Sequence, residues 1–284
     1  MQAGTVSATP MPKTPDPLDA WREALASWAI PDHILAAAPE SPWLLPADLF
    51  ARRADAQMER PTGAALARAA EALPAAGTVL DVGAGAGAAS LPLTAAARLI
   101  AVDERPEMLS ELEARAARRG LATVAITGRW PDVAARAPAA DVVVTSHVLY
   151  NVPDVGPFLV ALHEHARRRV VVEITARHPL SGLNPLWRRF HDIERPERPT
   201  WRDAAAAIRT LGFEPRVETY RRPAGAAAAV SFEALVSATR IRLCLAPELE
   251  PVVATALMER GADPADASTW TAGNNDLVAL WWDV

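Results

Sequence analysis

Short apolar runs, rich in β-branched residues, recur along the middle of this chain: Thr78–Val82, Arg98–Val102, Ala122–Ile126, Asp141–Thr145 and Val170–Ile174. Such runs predict strands buried on both faces, as in a parallel sheet. The segments between them change to a helical period. A helix is expected at about Ala88–Ala97, after the first strand. Another is opened by Pro106, with Glu107 in its first turn, Arg118 and Arg119 in its last and Gly120 just beyond, each placed to suit a helix terminus. Asp154 is placed to cap a helix whose apolar residues Val155, Phe158, Leu159 and Leu162 share one face. Thr200 and Asp203 read as a capping box for a helix over Trp201–Leu211, which Gly212 ends. A sixth strand at about Pro215–Tyr220 and a last one at Leu277–Trp282 complete the pattern. Alternating strands and helices predict a doubly wound α/β sheet.

The residues before the first strand follow a different pattern. Residues 1–17 hold Pro10, Pro12, Pro15 and Pro17 among small polar residues and read as a disordered lead-in. A helix is expected from Asp19 to about Leu35, with Trp21, Leu25, Trp28 and Ala29 on one face and Pro31 interrupting or ending it. Pro39–Pro46 reads as a loop that buries Trp43, Leu44 and Leu45, followed by helices at Ala47–Glu59 and Thr62–Leu73. The expected division is a helical segment over 18–75, packed on the sheet edge or over a site, and a main domain over 76–284 with insertions at 176–199 and 221–275. Ligands of open α/β sheets bind at the carboxyl ends of the strands, so insertions there become site walls. The first insertion carries His178, Asn184, Trp187, Phe190, His191 and several arginines. That mixture suits a substrate wall, or equally a solvated loop with its aromatics tucked against the core.

The chemistry centres on Asp81-Val82-Gly83-Ala84-Gly85-Ala86-Gly87, directly after the first strand. Glycines there let the backbone turn tightly and let a ligand lie against the main chain. A helix after the turn would also aim unpaired N–H groups at that ligand. Gly83, Gly85 and Ala88 satisfy the dinucleotide pattern G-x-G-x-x-A. Asp81 opposes a pyrophosphate, however, whereas S-adenosylmethionine carries an ammonium and a sulfonium that tolerate a carboxylate. Asp103 ends the second strand, 20 residues after Gly83. A carboxylate there can accept from both hydroxyls of a ribose, in either cofactor.

Asp81-x-Gly83-x-Gly85-x-Gly87, with Asp103 followed by Glu104 and the Pro106-Glu107-Met108-Leu109 helix start, resembles the first two motifs of the class I S-adenosylmethionine-dependent methyltransferases. The resemblance covers about residues 60–220, with the last strand completing the sheet. It implies a Rossmann-like, mainly parallel seven-stranded sheet whose last strand is antiparallel, with the N-terminal helices and helical insertions as additions. It also implies direct in-line methyl transfer to an O, N or C nucleophile, without a metal, leaving S-adenosylhomocysteine. The implied cofactor contacts are Asp81, Gly83, Ala84, Gly85, Gly87, Asp103, Glu104, Arg129, Trp130 and Ser146. In the family, the residue after the glycine equivalent to Gly128 is often an aspartate that bonds the adenine amine. Here it is Arg129, which leaves Trp130 to stack on the base or Asp132 to accept from it. Ser146-His147-Val148-Leu149-Tyr150-Asn151 resembles the family's fourth motif, whose loop lies under the transfer site. His147 and Tyr150 are the polar side chains best placed there. If the acceptor needs a base, His147, His178 and His191 are the candidates.

Composition narrows the partner. The net charge is −5 and the pI about 5.7, with acidic flanks and a near-neutral centre, which gives no general nucleic-acid footprint. Asn151-Val152-Pro153 is not the Asn-Pro-Pro-aromatic signature of the amino-methylating DNA enzymes. A small-molecule acceptor is therefore expected, and no membrane partner. An RNA methyltransferase keeps only the arginines of the first insertion as its argument. A non-catalytic S-adenosylmethionine-binding scaffold or regulator, and more weakly an NAD(P)-dependent oxidoreductase, are the other readings. The lone Cys244 allows no intrachain disulfide and suits the cytoplasm. Oligomeric state leaves no trace in the sequence.

Overall fold

The runs of Val, Ile and Leu form strands because a pleated, doubly covered surface accommodates branched side chains on both faces. A computed structural model describes residues 15–43, 47–221, 231–267, 270 and 275–284. Its strands are β1 (Gly77–Val82), β2 (Ala96–Asp103), β3 (Ala122–Thr127), β4 (Ala140–Ser146), β5 (Ala166–Thr175), β6 (Arg216–Arg221) and β7 (Asp276–Asp283). They form one seven-stranded sheet in the order β3-β2-β1-β4-β5-β7-β6. β1 pairs in parallel with β2 and β4, with Leu80 level with Ile100 and Val143. Only β7 runs against the others, wedged between β5 and β6. The expected seven-stranded sheet with an antiparallel last strand is the one observed.

The helices are α1 (Pro17–Ala26), α2 (Asp32–Ala37), α3 (Ala47–Glu59), α4 (Ala64–Ala72), α5 (Pro106–Arg118), α6 (Val155–Glu164), α7 (Asn184–His191), α8 (Trp201–Thr210), α9 (Phe232–Arg242) and α10 (Glu250–Glu259). Successive strand residues face opposite ways. Leu80, Ile100 and Val143 pack under α1, α6 and α8 with Trp21, Phe158 and Ile208. Val79, Leu99 and Val142 pack under α4 and α5 with Ala69, Leu109 and Leu112. A third core lies outside the sheet. There α2, α7, α9 and α10 bring together Ile34, Leu186, Val236 and Leu257, so both insertions and part of the N-terminal segment share one helical unit.

Several expectations need correction. The helix expected at Ala88–Ala97 does not form: turns fill 83–95 and β2 already begins at Ala96. Pro92 falls inside that stretch, where it would remove a helical N–H and crowd the preceding turn. The first long helix splits in two. α1 starts at Pro17, capped by Asp16, whose Oδ1 accepts from the Leu18 N–H at 2.8 Å. Pro31 precedes α2. Asp154 makes no capping bond and instead faces Arg22 at 3.2 Å. Trp43 is 54% exposed rather than buried. Most of the lead-in, together with Leu44 and Leu45 and parts of the 221–275 insertion, lies outside the described residues.

The N-terminal segment is stitched into these layers. Trp21 is fully buried and its indole N–H donates to the Val152 carbonyl at 2.9 Å. Arg115 on α5 forms a two-pronged pair with Asp55 on α3, at 2.8 and 3.0 Å. The capping box of α8 is present, with the Thr200 N–H donating to Asp203 Oδ2 at 2.7 Å. Thr200→Ala is expected to cost about 1 kcal/mol, read as a lower urea midpoint at unchanged slope. An unmoved midpoint would show the cap to be redundant.

Candidate functional site

The strand order reverses direction between β1 and β4, which is where an open α/β sheet leaves a crevice. A cavity of about 610 Å³ opens there, at the carboxyl ends of β1, β2 and β4. Its floor is the glycine turn. Gly83 has φ +70°, and a Cβ on it would lie 2.3 Å from Val148 Cγ2, so only glycine lets the turn meet the loop after β4. Gly85 has φ +50°, and a Cβ on it would point into open space with no atom within 4 Å. With no helix after the turn, a ligand meets the main chain of the turn rather than a helix N-terminus, and the N–H groups of Gly83 and Ala84 already donate to the Val102 carbonyl and that of Gly87 to the Ala84 carbonyl.

Two carboxylates flank this floor. Asp81 sits beneath the turn, 1% exposed, and neither of its oxygens has a hydrogen-bond partner. Burial pushes its carboxyl up to about 7; the nearby Ser90 hydroxyl offsets part of this and the Asp103 charge adds to it. Ser90 Oγ is itself buried without completing a hydrogen bond. An anion left so is costly, and a cationic or hydrogen-donating ligand would relieve it. Asp103 lies at the cavity wall, where Oδ2 accepts from the Gly85 N–H at 2.8 Å and Oδ1 from the Arg105 N–H at 2.9 Å. Both of its oxygens are thus aimed by backbone, and each keeps a further lone pair for a ligand hydroxyl.

Gly83, Ala84, Gly85, Asp103, Glu104, Arg129, Trp130, Ser146 and His147 all line this cavity. Asp81 lies under it, and a Cβ on Gly87 would strike Leu91, so that glycine serves the packing beneath the turn. Arg129 and Glu104 stand exposed at 3.9 Å from one another, a pair that contributes little to stability. Trp130 is buried, its indole N–H donating to the Phe158 carbonyl at 3.3 Å, so one edge is fixed in the core. Among the polar candidates for catalysis, the structure brings only His147 to the cavity. The Tyr150 hydroxyl is buried and donates to the Thr175 carbonyl at 2.9 Å, with burial raising its pKa. His178 stacks on Trp28 at 3.7 Å, and burial, with the Arg195 charge, lowers it to about 3. His191 bonds the Leu243 carbonyl at 2.7 Å, in the third core.

A residue that sequence reasoning missed ties His147 down. Glu173, near the end of β5, has Oε1 3.1 Å from His147 Nε2, 2.9 Å from the Ser146 hydroxyl that donates to it and 3.6 Å from Arg53. The Tyr220 hydroxyl donates to Oε2. Burial alone would raise Glu173. The hydrogen bond and charge of His147, the charge of Arg53 and the Tyr220 hydroxyl outweigh it and hold the carboxyl well below the usual range. His147 has φ +61°, and its N–H donates to the Glu173 carbonyl at 2.8 Å, so main chain and side chain are both fixed to one residue. A non-glycine residue in this region is a strained feature that clusters at functional sites. The signal for Glu173 was present in the sequence: it is the one charge in Val170-Val171-Val172-Glu173-Ile174. Trp43, Phe50 and Arg53 also line the cavity. They come from the N-terminal segment, and nothing in their spacing points there.

Residues 79–169 match the family described as methyltransferase domain. No curated protein sequence matches the chain significantly. Among solved structures, a cyclopropane-fatty-acyl-phospholipid synthase-like protein from Lactobacillus casei is similar with a TM-score of 0.53 and 14% identity, over 89% of this chain and 98% of that one. A protein assigned as a sarcosine dimethylglycine methyltransferase from Galdieria sulphuraria has a TM-score of 0.50 and 14% identity, over 88% and 95%. At these identities the likeness concerns the fold.

Proposed function

We propose that this chain, which belongs to the class I S-adenosylmethionine-dependent methyltransferases through its domain at residues 79–169, methylates a nucleophilic O, N or C atom of a small molecule. The observation that carries the reading is Asp81, a buried carboxylate with both oxygens unpartnered beneath the glycine turn. An ammonium-bearing cofactor relieves that site, and a pyrophosphate aggravates it. S-adenosylmethionine supplies an electrophilic methyl group when bound. In this reading Asp103 accepts from the ribose hydroxyls, the ligand lies against the main chain of the turn where glycines leave room for it, and Asp81 with Ser90 faces the amino-acid end. Arg129 and Trp130 border the adenine.

His147 is the residue assigned to hold or remove an acceptor proton. A buried anion at its back favours the imidazolium that proton removal creates. Glu173 is thus a positioning residue. Trp43, Phe50 and Arg53 form the acceptor wall from the N-terminal segment, which supports an aromatic or anionic small molecule over a polymer. The lone Cys244, buried and unpaired, supports a reducing compartment. Among the described residues, no helix is long and apolar enough to cross a membrane.

The test is a screen of phenols, amines and carboxylates for acceptor-dependent release of S-adenosylhomocysteine. Turnover with one class supports the enzyme. Cofactor binding with no turnover across all three classes favours the scaffold instead. A second prediction concerns the base. His147→Ala removes the largest influence lowering Glu173, so its carboxyl titrates at higher pH, observable by carbon NMR. Glu173 is depressed in the fold, so its contribution to stability is present above pH 4.5 and fades as pH falls below that value. In the variant that contribution shrinks, and acid unfolding begins at higher pH. An unchanged acid transition would contradict the coupling.

A further inference from the structure

A second cavity, of about 320 Å³, opens where the two insertions meet and shares no lining residue with the first. It is bounded by Arg177, the 3₁₀ turn Ser181–Leu183, the start of α7, Glu197 and Arg260 at the end of α10. Among the described residues, neither the Arg177 nor the Arg260 guanidinium has an ion pair or hydrogen-bond acceptor. Ser181 lines this cavity and is 9% exposed, and its hydroxyl oxygen is buried with no partner. Asn184 is held by its Nδ2, which donates to the Pro196 carbonyl at 2.9 Å, and its Oδ1 is buried with no donor. α7 begins here directly from the 3₁₀ turn, with the Asn184 N–H donating to the Ser181 carbonyl and Pro185 carrying no N–H. Glu197 is the one carboxylate among the described lining residues.

We propose that this cavity is a second ligand site, for a small oxyanion, a carboxylate or a phosphate monoester, that carries a hydrogen-bond donor beside its charge. Arg177 and Arg260 hold the oxyanion, since the guanidinium fork matches carboxylate and phosphate alike. The Ser181 hydroxyl turns to donate to it. Asn184 Oδ1 and Glu197 accept from the adjacent donor. The site gives partners to a buried hydroxyl and a buried amide oxygen that have none, beside two exposed cations. It does not depend on the methyltransferase reading.

The experiment is calorimetric titration of the full chain with inorganic phosphate, lactate and acetate at constant ionic strength, with chloride as the control. The expected result is saturable, millimolar or tighter binding of phosphate or lactate, with acetate, which lacks the donor, at least about threefold weaker than lactate. Arg177→Gln and Arg260→Gln each weaken the better ligand at least about tenfold, and Ser181→Ala at least about threefold. All three variants keep the wild-type affinity for S-adenosylhomocysteine, which separates this site from the first. Binding of phosphate alone assigns a phosphate ligand, and of lactate alone a carboxylate. Chloride reproducing the heats, or variants binding as wild type does, would overturn the site.

Discussion

Replacing Asp103 with alanine weakens S-adenosylhomocysteine binding at least about tenfold while leaving the fold intact. The carboxylate is already aimed by two backbone N–H groups, those of Gly85 and Arg105, at 2.8 and 2.9 Å. A ligand therefore meets a charge whose orientation costs nothing further on binding. Charge-assisted bonds contribute about 1.5–3 kcal/mol each, so losing one gives roughly a tenfold to hundredfold effect. Alanine also frees the Gly85 N–H and loosens the floor. Asp103→Asn is the control, because it keeps one acceptor oxygen and should lose less. The measurement is calorimetry on both variants, with circular dichroism to confirm folding. Unchanged affinity in Asp103→Ala would remove this residue from the site.

Asp81→Asn is expected to do two opposite things: stabilise the free protein near neutral pH and weaken the cofactor. In the fold, burial raises the Asp81 carboxyl from 3.8 to about 7. The folded state therefore holds that proton more tightly than the unfolded chain. Its contribution to stability is full below pH 3.8, declines as pH rises and is gone above about pH 7. A difference of about three units at 1.36 kcal/mol each sets a ceiling of about 4 kcal/mol for the penalty of the buried anion. Asparagine carries no charge, so its advantage is largest at pH 8 and vanishes near pH 4. Denaturant titrations across that range measure it. The same substitution removes the carboxylate assigned to the ammonium, so S-adenosylhomocysteine should bind less tightly. An asparagine variant that is less stable at pH 8 would contradict a charge buried for a ligand.

The central strands were legible because β1, β4 and the second half of β5 are nearly unbroken apolar runs buried on both faces, whereas β6 is a polar edge strand with no buried residue. β1, β2 and β4 appear within a residue or two of their expected bounds. The glycine turn and Asp103 were legible for the same reason: their chemistry is local, one strand end at a time. The missing helix after β1 was not. Ala88–Ala97 has helical composition, and the outcome turned on Pro92 and on how few residues lie between two paired strands. The cluster around Glu173 was hidden for a different reason. Its members come from α3, β4, β5 and β6, and only the sheet order together with the packing of α3 places Arg53, Ser146, Glu173 and Tyr220 together. Likewise, His147, His178 and His191 look alike in sequence. The structure puts the first on the cavity wall, the second against an indole and the third in a separate helical core.

The central claim is that the cavity over Asp81, Gly85 and Asp103 takes a cofactor that bears an ammonium and no phosphate. The most direct test is calorimetric titration of the purified chain with S-adenosylhomocysteine, with NADH run in parallel. Micromolar binding of S-adenosylhomocysteine and no saturable response to NADH is the predicted result. Saturable NADH binding, or no binding of S-adenosylhomocysteine, would contradict it and leave the glycine turn as a structural element or a site for another nucleotide.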